Sequence, residues 1–166
     1  MKQSFPICLI LLLSTYVLAC TTDETVDLEK PTIDLTLPEV FPLDGDTLSF
    51  EDSLYVKLRL QDNVALGSKR CLNLSIHHNF DHHSHSTEVD ESNLDPVKTP
   101  VNPLTFIQSY DLPAGLSTYD TNILLILPPS NDQGLYDEGD YHFFISLTDA
   151  QGWSTQKGLS IKLLHR

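Results

Sequence analysis

Cysteine is scarce in this chain, with three in 166 residues. Cys8 lies inside an N-terminal apolar run and Cys20 closes the segment that holds it, so a body released from that segment keeps Cys71 alone. An intramolecular disulfide in the body is thereby excluded. A lone thiol in an exported protein is ordinarily buried as a small apolar group. A soft-ligand role for Cys71 is the alternative. Positive charge is equally thin: 10 Lys and Arg stand against 23 Asp and Glu, a formal net charge of -13. Such a chain does not seek nucleic acid or an anionic membrane by charge, and it attracts cations. Catalytic signatures are missing too. There is no H-E-x-x-H, so the helical zinc-protease arrangement is absent, and no G-x-S-x-G elbow. The acidic stretch from Asn131 to Asp140 lacks the spacing of an EF-hand calcium loop and reads as a solvated hairpin loop. The expectation is a protein that is not an enzyme.

Histidine, by contrast, is concentrated. Five of the seven histidines fall between His77 and His85, in the run H-H-N-F-D-H-H-S-H, with Asp81 among them. Neutral imidazole is the commonest side-chain metal ligand. Several imidazoles tethered in one short loop also lose little entropy on gathering around one ion. His77, His78, His82, His83 and His85 are the candidate ligands, with Asp81 as a further ligand or as the acceptor that orients a ring. A purely solvated or pH-titrating loop is the plain alternative. His83-Ser84-His85 matches part of the H-x-H-x-D-H pattern of metallo-hydrolases, but Thr87 and Glu88 stand where Asp and His are required. With one thiol in the body, an all-His or His/carboxylate site is expected over a Cys-rich zinc site. Such ligands suit Zn, Cu, Ni or Fe, and spacing does not choose among them.

The N-terminus reads as a targeting segment. Lys2 is followed by an apolar run from Phe5 to Leu13, shorter than the roughly 20 residues of a spanning helix. Val17-Leu18-Ala19-Cys20 resembles the lipobox of bacterial lipoproteins, with Leu18 departing from the usual small or branched residue. The resemblance implies a signal peptide over residues 1–19 and lipidation of Cys20. Asp23 and Glu24 behind it resemble the export signal that sends Bacteroidetes lipoproteins to the outer face of the outer membrane. Residues 20–30 carry the lipidated Cys and a flexible tether without apolar periodicity.

From Pro31 onward the hydrophobic period is two. Alternation marks strands at Ile33–Leu37, Leu54–Leu60, Leu72–Ile76 and Tyr141–Leu147, and Leu159–Leu163 closes the chain. Phe106–Tyr110 and the apolar run Asn122–Leu127 complete a set of seven. Clusters of Gly, Pro, Asn and Asp separate them, which predicts an all-β antiparallel sandwich over residues 31–166. Ser84–Leu104 is longer than such a sandwich needs, and Pro96, Pro100 and Pro103 forbid a central strand there. Gly139-Asp140-Tyr141-His142-Phe143 resembles the start of strand F in Ig-like and fibronectin-like domains, where a corner Tyr bonds back across the preceding loop. Thr148-Asp149-Ala150-Gln151-Gly152 resembles the following hairpin.

Taken together, Cys20, the histidine run at 77–85 and the stretch G-D-Y-H-F-F-I-S-L-T-D-A-Q-G at 139–152 resemble a family of uncharacterised Ig-like lipoproteins of Bacteroidetes. The resemblance implies an Ig-like fold and surface lipoprotein status, and brings no activity. In that frame His77 ends strand C and His142 opens the antiparallel neighbour F. His142 is then expected on the outer face, beside His77, as a sixth ligand. The alternative is a plain solvent-facing strand residue.

The expected function is non-catalytic binding of a transition metal, or of a metal-bearing ligand such as a haem or chelate, as an accessory to an uptake system with an outer-membrane transporter as partner. A glycan- or protein-binding surface module without metal is the alternative. Asp46-Thr47-Leu48 and Asp52-Ser53-Leu54 resemble the short O-glycosylation signal of Bacteroidetes. Trp153, the single Trp, is expected to pack over a sheet edge.

Overall fold

The computed structural model describes residues 26–83 and 93–166. Cys20, His85 and the segment 84–92 lie outside the described residues. The fold is all-β, and no helix occurs among the described residues. The strands are β1 Thr32–Asp34, β2 Thr47–Ser49, β3 Ser53–Val56, β4 Arg59–Gln61, β5 Leu72–His78, β6 Phe106–Tyr110, β7 Thr118–Asp120, β8 Ile123–Ile126, β9 Ser130–Asn131, β10 Gly134–Leu135, β11 Gly139–Thr148 and β12 Ser154–Leu164.

The main sheet has five strands in the order β2-β12-β11-β5-β6. Smaller sheets, β1-β4-β7 and β3-β8, complete the sandwich, and β9-β10 is a short hairpin. One hydrophobic cluster joins these layers, from Ile33 in β1 through Leu54 and Leu60 to Leu163 in β12. Strict alternation explains the central strand β11. Tyr141, Phe143, Ile145 and Leu147 are each at most 1% exposed and face the core. Burying each such side chain stabilises the fold by about 1.5–3 kcal/mol. The strands that carry His77 and His142 are therefore held by apolar packing.

Seven strands were expected, and the structure divides them further. The run Leu54–Leu60 is two strands, because Lys57 and Leu58 bond elsewhere. Lys57 bridges Phe41, and the Leu58 N–H donates to the Thr121 hydroxyl at 2.9 Å. β3 then pairs with β8, while β4 pairs with β1 and β7. The three-residue strands β2 and β7 are too short to show a period.

The Tyr141 hydroxyl donates to the Asp137 carbonyl at 2.6 Å and accepts from the Leu104 N–H at 3.2 Å. The expected corner bond is thus present, and it also pins the proline-bearing segment before β6. Other anchors hold that segment. The Asp95 N–H donates to Asp140 Oδ2 at 2.6 Å, and the Lys98 ammonium sits 4.2 Å from the centre of the Phe80 ring. Asp137 Oδ2 accepts from the N–H groups of Val101 and Asn102 at 2.7 and 2.8 Å. Asp137 and Asp140, read from sequence as part of a solvated loop, instead fasten this segment to the sheet.

Cys71 is buried, and its thiol donates to the Gly67 carbonyl at 3.0 Å. Burial pushes the thiol above its ordinary pKa, the behaviour of an inert core cysteine.

Candidate metal centre

β5 and β11 are antiparallel neighbours, and His77 stands directly opposite His142 in their register. Side chains alternate across a strand, so both leave the core face that Ile76, Tyr141 and Phe143 occupy. Their ring centres lie 5.3 Å apart. Phe144 follows two residues after His142 on the same face. Its ring stacks on His77 at 5.3 Å and 13° and lies 5.5 Å from His142. His142 was expected on the outer face, and it is on that face, yet it is 0% exposed. The surrounding rings of His77, His83 and Phe144 account for this burial.

His83 arrives by a turn. After β5 the Asn79 N–H donates to the Asp140 carbonyl at 2.8 Å, and the His82 N–H donates back to the Asn79 carbonyl at 3.2 Å. His82 takes a left-handed backbone, φ 55°, which reverses the chain. His83 then lies back over the strand pair, 5.5 Å from His77 and 5.3 Å from His142 between ring centres. One ring nitrogen from each of His77, His83 and His142 lies within 4.8 Å of the other two. Zn–N bonds of about 2.0–2.1 Å in a tetrahedral shell place nitrogens roughly 3.4 Å apart. Side-chain adjustment on the order of 1 Å would close the three on one ion.

Asp81 orients His83. Its Oδ1 accepts from His83 Nδ1 at 2.6 Å. That hydrogen bond is the main reason its carboxyl is held below the usual carboxylate range. An ionised carboxylate only accepts, so Nδ1 carries the proton. In the neutral ring Nε2 is then the nitrogen chemically able to ligate. Three imidazoles on one side of an ion leave further coordination positions for water or an exogenous ligand.

The other described candidates are not ligands of this group, and His85 lies outside the described residues. His82 Nε2 meets the Asp95 carbonyl at 2.8 Å, where it can only donate. His78 faces the other side of the sheet, with its ring 5.1 Å from Phe80 and 6.0 Å from His83. Asp81 serves as the orienting acceptor. Of the six sequence candidates among the described residues, His77, His83 and His142 are brought together. Sequence reading missed Phe144 as the stacking wall, although its i+2 spacing from His142 was a usable signal. Trp153 is 42% exposed, and its indole N–H donates to the Asp27 carbonyl at 3.2 Å.

No curated protein matches the chain. A family model matches residues 18–164, a span that includes the three clustered histidines, and the chain accordingly belongs to the family described as a domain of unknown function, DUF4625.

Proposed function

We propose that this protein is a surface-exposed outer-membrane lipoprotein of the Bacteroidetes type that binds a transition metal, or a metal-bearing ligand, without catalysing a reaction on it. The observation that carries the metal reading is the convergence of His77, His83 and His142 to within 4.8 Å. Two of the three come from paired strands held by the core, so their approach requires no metal. An acidic chain, net charge -13, favours the approach of a cation. All-imidazole donors suit Zn, Cu, Ni or Fe. The N-terminal reading supports anchorage through lipidated Cys20, and a role as accessory to an outer-membrane transporter follows from that placement.

The test is calorimetric titration of chelator-treated full chain, in detergent, with Zn, Cu(II) and Ni ions. One ion per chain is expected. His142→Phe keeps a ring against Phe144 and removes the nitrogens, so it should fold and lose binding. His82→Ala should bind as the parent does. Equal binding by His142→Phe and the parent would sink the reading.

A second reading, a glycan- or protein-binding module, is favoured by the outer face of the β3–β8 pair. Tyr55 opposes Leu124 there, and Ile126 opposes Ser53. Tyr55, Leu124 and Ile126 are 49%, 48% and 59% exposed.

A further inference from the structure

The opposite pole of the sandwich holds a second constellation, built from residues far apart in the chain. Asp27 precedes β1, Asp62 follows β4, and Asp149 follows β11. One carboxylate oxygen from each lies within 4.8 Å of the other two. Asp149 is seven residues along the chain from His142, so this group stands about 23 Å from the histidines at roughly 3.3 Å per residue.

Each carboxylate is divided in the same way. Asp27 Oδ1 accepts from the Glu29 N–H at 3.0 Å. Asp62 Oδ1 accepts from Val64 and Ala65 N–H at 2.8 and 2.7 Å. Asp149 Oδ1 accepts from Gln151, Gly152 and Trp153 N–H at 2.9, 2.7 and 2.8 Å. The second oxygen, Oδ2, is buried on all three and has no hydrogen-bond partner among the described residues. Asp27 and Asp149 are each 5% exposed. Among the described residues no Lys, Arg or His forms an ion pair with any of the three.

Buried acceptors without donors are rare, and like charges this close repel strongly when water is excluded. Oxygen donors only, all of them carboxylates, define a site for a hard divalent cation. Calcium binds six to eight oxygens at about 2.3–2.6 Å in a flexible geometry. Magnesium demands a near-ideal octahedron at about 2.0–2.1 Å and keeps several of its waters, which suits a closed set of buried carboxylates less well.

We infer that Asp27, Asp62 and Asp149 form a calcium site that fastens the segment before β1 to the β4–β5 and β11–β12 loops. Those loops are already joined by the Leu66–Asp149 bridge and by the Ala150 N–H, which donates to the Ala65 carbonyl at 3.1 Å. Asp27 is held to the pair by its own carbonyl, through the Trp153 indole. The ion adds the tie that the carboxylates need. Its position at the start of the body would set how the sandwich stands on the preceding tether.

Trp153 makes the site readable. Its indole N–H donates to the Asp27 backbone carbonyl and its backbone N–H donates to Asp149 Oδ1, which keeps the indole close enough to the three carboxylates to sensitise terbium luminescence. The full chain, in detergent, is titrated with terbium and then back-titrated with calcium or magnesium. Expected are a saturable signal, displacement by calcium at tenfold or more lower concentration than magnesium, and a Tm that rises by several degrees in millimolar calcium. Asp62→Asn and Asp149→Asn keep the Oδ1 acceptor for the backbone and turn an amide NH2 towards the ion. Both should fold and lose at least tenfold in affinity. Trp153→Phe should lose the luminescence and keep the calcium-dependent Tm. A parent chain without a calcium-dependent Tm shift or displaceable terbium overturns the inference, as does undiminished binding by the Asn variants.

Discussion

His142 and His77 are register partners across β11 and β5, with ring centres 5.3 Å apart on the face opposite the core. Their separation is fixed by the strand spacing and by buried neighbours on the other face, such as Ile76 and Phe143. His83 depends on a turn. Losing His77 or His142 should therefore remove a nitrogen held by the sheet, and losing His83 one held by the turn and by Asp81. His77→Phe and His142→Phe are expected to weaken zinc binding by more than a hundredfold, and His83→Ala somewhat less. Competition with a chromophoric chelator measures all three. Identical small losses across the set, including His82→Ala, would assign the binding to loose surface histidines.

Asp81 acts on the site only through His83. Asp81→Ala removes the acceptor at Nδ1 and frees the ring to take the other tautomer. Loss of such an orienting partner typically costs about 10–100-fold in metal affinity. Metal titration of Asp81→Ala should fall in that range, with stability unchanged because both groups are partly exposed. A loss as large as that of His142→Phe would make Asp81 a ligand.

The architecture was legible because β11 alternates without a break from Tyr141 to Leu147, and β5 from Leu72 to Ile76. Pairing those strands by the Ig-like pattern placed His142 beside His77, although 64 positions separate them in the chain. The identity of the third ligand was not legible. His82 and His83 are adjacent and chemically equivalent on paper. The left-handed backbone at His82 and the Asp95 carbonyl decide between them, and Asp95 lies beyond the loop. The buried state of His142 was hidden for the same reason, since alternation tells which face a residue takes and not what lies over it. Asp27, Asp62 and Asp149 were invisible as a set, because no local spacing relates three residues drawn from separate loops.

Acid should release the metal through the imidazoles. Ligating rings must be unprotonated, so proton competition weakens binding as pH falls from about 7.5 to about 5. Asp81, whose carboxyl is held below the usual carboxylate range, stays ionised across that interval. A fall in zinc affinity between about pH 7.5 and 5 therefore reports histidine. Affinity that is flat over the same interval would place the ion on carboxylates.

Alkali should act on the corner tyrosine. Burial pushes the Tyr141 phenol up to about 12, with the bond from the Leu104 N–H working in the opposite direction. An unfolded tyrosine titrates near ~10. The folded chain holds the proton more tightly, so the contribution of this group to stability is fully present below about pH 10 and is lost as pH rises towards 12. A rise from about 10 to about 12 corresponds to a loss on the order of 3 kcal/mol. Tyr141→Phe retains the edge contact with Phe80, at 5.2 Å between ring centres, and strips the hydroxyl from Asp137 and Leu104. The variant should be less stable than the parent by about 1–3 kcal/mol near neutral pH, because the buried Leu104 N–H and the half-buried Asp137 carbonyl lose their partner. Between about pH 10 and 12 its stability should fall less steeply than the parent's. Tyr110, whose phenol burial also raises, leaves a residual slope in both. Urea unfolding at a series of pH values measures the difference, and parallel curves for the two proteins would show that the Tyr141 phenol is not the group that alkali titrates.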